Sequence, residues 1–172
     1  MWCTSNFDDI REPLLNILTN APSNSFVAFD IDETLIHEDK PVPEGMFIHD
    51  LVIISGIPVI YVTARADTDV VRQKTLQELS RFNIFPDKIM FRPVDVVTWP
   101  AISAFKYDVR AQHEAGSNSV CVLNIGDQWT DMMPLTMESW TSLRRVYADK
   151  HVLYETRTDV DGVLRWHMKL KE

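Results

Sequence analysis

The chain predicts an α/β fold, a three-layer Rossmann-like parallel sheet with helices on both faces. Two observations carry this. Short apolar runs alternate with longer segments of helical periodicity. Those runs are apolar throughout rather than every second residue, the pattern of strands buried on both faces. The length of 172 residues suits a single domain, 1–172, with a sizeable core.

The elements follow in order. From Asn6 to about Leu18, Ile10, Leu14, Leu15, Ile17 and Leu18 form one apolar face, and Asn6 is a candidate cap. Ala21–Ser25 is a loop. Ser25–Asp30 is a buried strand whose end carries Asp30, Asp32 and Glu33. Lys40–Gly45 is a turn region, Glu44–Ser55 a helix and Gly56 its stop. Ile57–Val62 is a second strand, followed by Thr63, Ala64 and Arg65. A helix capped by Asp67 or Thr68 runs to Phe82. Lys88–Phe91 is a short strand, and Pro100–Ala115 a helix stopped by Gly116. Val120–Ile125 is a fourth buried strand, ending in Gly126-Asp127. Arg145–Tyr147 is a candidate further strand. Val152–Thr158 and Val163–Leu170 flank Asp161-Gly162, which predicts a C-terminal β-hairpin over about 151–170.

Composition excludes several classes. Five Gly and nine Pro rule out collagen-like and low-complexity chains. No apolar run is long enough to span a bilayer, so no membrane role is expected. Two cysteines, Cys3 and Cys121, cannot build a disulfide framework or a structural zinc site. Cys121 is expected to pack as a small hydrophobe and Cys3 to lie in a tail. The N-terminus has no basic leader, so the expected compartment is a reducing cytoplasm. The net charge of -8 argues against extended nucleic-acid binding, while suiting an acidic site that holds a cation.

In an open parallel sheet, ligands bind beyond the carboxyl ends of the strands. There the chain places Asp30 and Asp32, then Thr63 and Arg65, then Asp127 and Asp131. Crowded carboxylates repel unless a cation neutralises them. All-oxygen ligands without a His or Cys cluster favour a hard ion, Mg²⁺ before Zn²⁺.

The set resembles a known family. Asp30-Ile-Asp32-Glu-Thr34 looks like the DxDxT signature of the haloacid-dehalogenase-like (HAD-like) superfamily of aspartate-nucleophile phosphatases. Thr63, Lys106 and Gly126-Asp127-Gln-Trp-Thr-Asp131 fit its second, third and fourth motifs in order. Asn124–Met132 is similar to the NxGDQWSDL stretch of the acid-phosphatase branch, and Lys106 with Arg110 matches that branch's KxxxR spacing. The motifs cover about 25–135. The resemblance implies a Mg²⁺-dependent phosphomonoester hydrolase of broad specificity, similar to acid phosphatases and nucleotidases. Asp30 would be the nucleophile through an aspartyl-phosphate, and Asp32 the acid and base. Asp30, the Asp32 carbonyl and Asp127 would hold Mg²⁺. Thr63, Ala64 and Arg65 would meet the phosphate, Lys106 would supply fixed charge, and Asp131 and Arg110 would support.

Each residue has a plainer alternative. The acids can cap turns, Thr63 can cap its own turn, and Lys106 can sit on a solvated helix face. Arg65 touches either substrate or a carboxylate, Arg110 suits a structural ion pair, and Trp129 either lines the pocket or packs. The intervals between motifs hold no large cap domain, only a small flap around His37–Pro43. The substrate is then a phosphorylated small molecule or an exposed phosphate on a macromolecule. A polynucleotide 3′-phosphatase, a protein phosphatase and a non-catalytic phosphate- or partner-binding relative are the alternatives. A basic set (Arg65, Arg72, Lys74, Arg81, Lys88, Arg92) would serve a macromolecular phosphate. Oligomeric state stays open, a homo-oligomer included.

Overall fold

A computed structural model describes residues 1–157 and 162–172. Strand β1 (Trp2–Thr4) leads into helix α1 (Asp8–Thr19), where the Asn6 side chain accepts from the Asp8 N–H at 3.2 Å. Strand β2 (Ser25–Phe29) is buried along its whole length, as its unbroken apolar run predicts. After it comes a two-stranded hairpin, β3 (Ile36–His37) with β4 (Lys40–Pro41), which is the expected flap. Helix α2 (Pro43–Ile54) starts with Pro in its first turn, where the missing N–H has no intrahelical role.

Strand β5 (Val59–Ala66) and helix α3 (Asp69–Ser80) follow, with the Thr68 hydroxyl accepting from the Val71 N–H as a cap. Strand β6 (Ile89–Arg92), helix α4 (Trp99–Ser117) and strand β7 (Val120–Gly126) complete the alternation. A single-turn helix α5 (Trp129–Met132), helix α6 (Met137–Tyr147) and strands β8 (His151–Arg157) and β9 (Leu164–Lys169) form the C-terminal part.

One seven-stranded sheet has the order β1-β8-β9-β7-β2-β5-β6. The pairs β6–β5, β5–β2, β2–β7 and β7–β9 are parallel, while β8 is antiparallel to β9 and to β1. Side chains alternate across β2. Val27 and Phe29 join Ile10 and Leu14 of α1 and Ile48 and Val52 of α2 on one face. Phe26 and Ala28 face the other way, with Phe105 and Val109 of α4 packed on their cluster. The α/β class and the helical cover on both faces are as the apolar pattern predicts. Within the described residues, the β3–β4 hairpin is the only independent sheet inserted between the first two core strands. No helix is long and apolar enough to cross a membrane.

Several boundaries differ from expectation. Arg145–Tyr147 is the last turn of α6, because the Thr136 hydroxyl caps a helix by accepting from the Ser139 N–H and the apolar positions of that segment pack on α5 and β8. Gly116 lies inside α4. Asn118 ends that helix in the left-handed region at φ 48°, which Asn tolerates. The N-terminal residues form an edge strand, with Cys3 exposed. The C-terminal strands join the main sheet, β9 lying parallel to β7. Thr158 and Asp161, at the predicted hairpin turn, lie outside the described residues.

One close approach ties the flap region to the core. A Cβ on Gly45 would stand 1.6 Å from the Thr34 carbonyl oxygen and 2.8 Å from its carbon. Only glycine lets α2 sit directly on the loop after β2. Gly45→Ala is therefore expected to destabilise the protein by at least about 2 kcal/mol, read as a lower urea midpoint with an unchanged slope.

Candidate active site

The loop after β2 begins with Asp30, whose N–H donates to the Ile125 carbonyl of β7 at 2.9 Å. That bond fixes Asp30 beside the end of β7, where Asp127 follows Gly126. The Asp30 side chain is buried, and so are Asp127, Asp131 and Lys106. The Lys106 ammonium, reaching from α4, donates to Asp30 Oδ1 at 2.6 Å and to Asp131 Oδ1 at 2.5 Å. The second Asp131 oxygen accepts the Gln128 N–H at 2.9 Å, closing the first turn of α5. The Gln128 amide donates to Asp127 Oδ2 at 2.8 Å. The Thr34 hydroxyl donates to Asp30 Oδ2 at 3.4 Å.

Gly126 is required here for space. A Cβ on it would lie 2.4–2.6 Å from Asp131 side-chain atoms, so only glycine lets Asp131 fold back under the strand end. Asn124 braces the same turn by donating to the Asp131 carbonyl at 2.8 Å.

Oxygen atoms of Asp30, Asp127 and Asp131 all lie within 4.8 Å of one another. One lysine faces three carboxylates, which leaves two negative charges uncompensated when all are ionised. The electrostatics follow. Burial and the neighbouring acids push the Asp30 carboxyl well above the usual range against the pull of Lys106. Burial, then Asp131, raises Asp127 to about 7. Burial opposes the Lys106 charge, but Asp131 and Asp30 outweigh it and hold the ammonium protonated. Asp131 accepts from Lys106 and the Gln128 N–H at 2.5 and 2.9 Å. Among the described residues, the one donor to Asp30 Oδ2 is the Thr34 hydroxyl at 3.4 Å, and Asp127 accepts the Gln128 amide on one oxygen. Ionised carboxylate oxygens keep further acceptor sites, and a hard divalent cation held by Asp30 and Asp127 would fit this all-oxygen set.

The other predicted residues divide. Asp32 lines the same cavity, of about 370 Å³, but its side chain is 49% exposed and stands at the mouth. Arg65 grips it with two N–H groups, Nε to Oδ2 at 3.0 Å and Nη2 to Oδ1 at 2.7 Å. Its third arm donates to Glu78 at 2.6 Å and to Thr75 at 2.9 Å. Of the two readings of Arg65, substrate or carboxylate, the structure places its guanidinium on the carboxylates of Asp32 and Glu78, where it positions Asp32. Thr63 is fully buried, and its hydroxyl accepts from the Arg65 N–H at 3.2 Å. Ala64 lines the cavity beside it, with its carbonyl accepting from Arg92 at 2.6 Å.

Arg110 makes no ion pair among the described residues. It stands one helical turn beyond Lys106 on the same face of α4 and donates to the Met132 carbonyl at 3.4 Å. Trp129 packs with Met132 and Val152. Cys121 is buried, and burial raises its thiol to about 12, consistent with a packing role. Half of the basic set has acidic partners. Arg65 pairs with Asp32 and Glu78, Arg72 with Asp67 and Lys74 with Glu78, while Arg92 donates to backbone carbonyls.

Sequence reading missed the aromatic wall of the cavity. Trp99 and Trp140 stack nearly parallel at its mouth, 6.0 Å between centroids and 12° between planes. The Arg144 guanidinium lies over Trp140 at 5.2 Å. The available signal was the helical spacing of Trp140 and Arg144, which becomes readable once 137–147 is taken as a helix. Compared with known proteins, the chain matches no family model and no curated protein.

The crowding of charge predicts a pH signature. Protonated Asp127 contributes stability that is fully present below its ordinary value of 3.8 and is lost as pH rises through about 7. Asp127→Asn stays neutral throughout. With chelator present, its melting temperature is expected to exceed that of the wild type by a few degrees above pH 7, and the advantage should vanish toward pH 4 in a calorimetric series.

Proposed function

We propose that the chain is a Mg²⁺-dependent phosphomonoester hydrolase that works through an aspartyl-phosphate on Asp30. The observation that carries this reading is the buried Asp30–Lys106–Asp131 set beside Asp127 at the carboxyl edge of a parallel sheet. The resemblance to the HAD-like superfamily, and to its acid-phosphatase branch, points the same way.

Asp30 and Asp127, with the Asp32 backbone carbonyl, would hold the cation. When bound, it would neutralise charge on the cluster and on the phosphoryl oxygens. The remaining chemistry belongs to the chain's own residues. An Asp30 carboxylate oxygen attacks phosphorus, and the ester P–O bond breaks. Asp32, at the solvent-facing mouth, gives a proton to the leaving oxygen. Lys106 holds Asp30 in place and keeps a fixed positive charge beside the developing one. Asp32 then takes a proton from water as the water oxygen attacks phosphorus. The bond to Asp30 breaks, inorganic phosphate leaves and the carboxylate is restored. Arg65 sets where Asp32 stands for both transfers.

The leaving group would rest at the Trp99–Trp140 pair that lines the cavity. That wall is suited to a flat, apolar or aromatic group. With Arg65, Arg72 and Lys74 already paired to acids, a small phosphorylated molecule is favoured over a macromolecular phosphate.

The test is turnover of aryl and nucleoside phosphates with and without Mg²⁺. Wild type is expected to need Mg²⁺. Asp30→Asn should lose roughly a thousandfold or more in kcat, with unchanged circular dichroism. Asp32→Asn should lose less with an aryl phosphate of good leaving group than with an alkyl one. Full activity in Asp30→Asn would overturn the reading.

A further inference from the structure

A second cavity, of about 320 Å³, lies between α4, α5 and strands β7, β8 and β9. It shares none of the acids of the first site. Arg110, only 6% exposed, lines it. A guanidinium carries five N–H donors. Among the described residues, Arg110 uses one, in the long 3.4 Å bond to the Met132 carbonyl. Burying a cation without a counter-charge is strongly unfavourable, and burial pushes the Arg110 pKa down accordingly. Asp131, whose field reaches Arg110, has its carboxylate committed to Lys106 and to the Gln128 N–H.

Two further polar atoms in the lining are buried without a partner, Tyr154 Oη and His167 Nδ1. Their rings stack at 4.9 Å and 20°. His167 is held neutral, its pKa lowered to about 3 by burial and by Arg110 and Arg165. Arg165 is matched by Glu114, with bonds of 3.0 and 2.9 Å. Arg110 has no such acidic partner among the described residues. Met132, Met133 and the tyrosine rings give the wall a large apolar part, with Asn124 and Thr156 adding uncharged polar groups.

We propose that this cavity is a binding site for a monocarboxylate with an apolar, aromatic or branched body. One planar carboxylate matches one guanidinium in charge and in paired N–H geometry. The volume is that of a small-ligand pocket. A phosphate would bring more charge than the lining offsets and would meet an apolar wall. The site stands independently of the reaction assigned to Asp30.

The test is calorimetric titration with benzoate, with benzamide as the uncharged isostere and inorganic phosphate as the competing anion. Benzoate should bind saturably and at least tenfold tighter than benzamide. Arg110→Met keeps the length and removes the charge, and should lose benzoate binding at least tenfold. Ala111→Phe, placed on the exposed side of α4 at the cavity lining, leaves Arg110 intact and should weaken benzoate similarly with unchanged circular dichroism. It serves if Arg110→Met fails to fold. Absence of saturable benzoate binding, equal binding of benzamide, or wild-type affinity in Ala111→Phe would overturn the proposal. So would phosphate binding that Ala111→Phe abolishes while benzoate binding persists.

Discussion

Three carboxylates buried around one ammonium set the terms for the rest of this structure. Asp30, Asp127 and Asp131 come from the ends of two adjacent strands and the turn that follows. In water they would repel weakly; with burial their mutual field is strong, and Asp30 and Asp127 hold their protons more tightly than ordinary carboxyls. Lys106 makes the arrangement tenable by bonding two of them. It can do so only because α4 lies across the same sheet face, with Phe105 and Val109 packed on the cluster that contains Phe26 and Ala28. The hydrophobic core thus positions the charge, and the charge accounts for otherwise unfavourable local features, among them Gly126 beneath Asp131 and a four-residue helix begun by Gln128.

A similar logic of paired charge separates the inner site from its mouth. Asp32 lies two residues after Asp30 yet occupies a different environment, half exposed and gripped by Arg65. Glu78 and Thr75 of α3 hold Arg65 in turn. A nucleophile benefits from a fixed, dry setting, whereas a proton carrier needs contact with solvent. Two neighbouring aspartates therefore suit two roles by environment alone.

Helix α4 serves two cavities one turn apart. Lys106 points its charge into the acidic cluster, where it is matched twice. Arg110, four residues on, has among the described residues one hydrogen bond, to the Met132 carbonyl at the end of α5. The contrast lies in what each cation faces, and it explains why similar residues on one helix carry different chemistry.

Much was legible in the chain. Apolar runs such as Ser25–Phe29 and Val120–Gly126 announced buried parallel strands, because a strand covered on both faces has no polar positions to spare. The acids after those runs marked the carboxyl edge of the sheet, where open parallel sheets place their candidate sites. Element ends were less legible. Gly116 reads as a helix stop, yet Asn118 performs it. Arg145–Tyr147 reads as a strand only while the cap at Thr136 goes unnoticed. By itself the sequence determined the α/β class, the chain order of the acids and the candidate lysine, because these depend on local periodicity and motif spacing. Tertiary structure alone decided that Arg65 grips Asp32, that Trp99 meets Trp140, that β9 joins β7 and that Arg110 has no acidic partner among the described residues. Each depends on which distant surfaces meet when the core packs, and no local pattern encodes that.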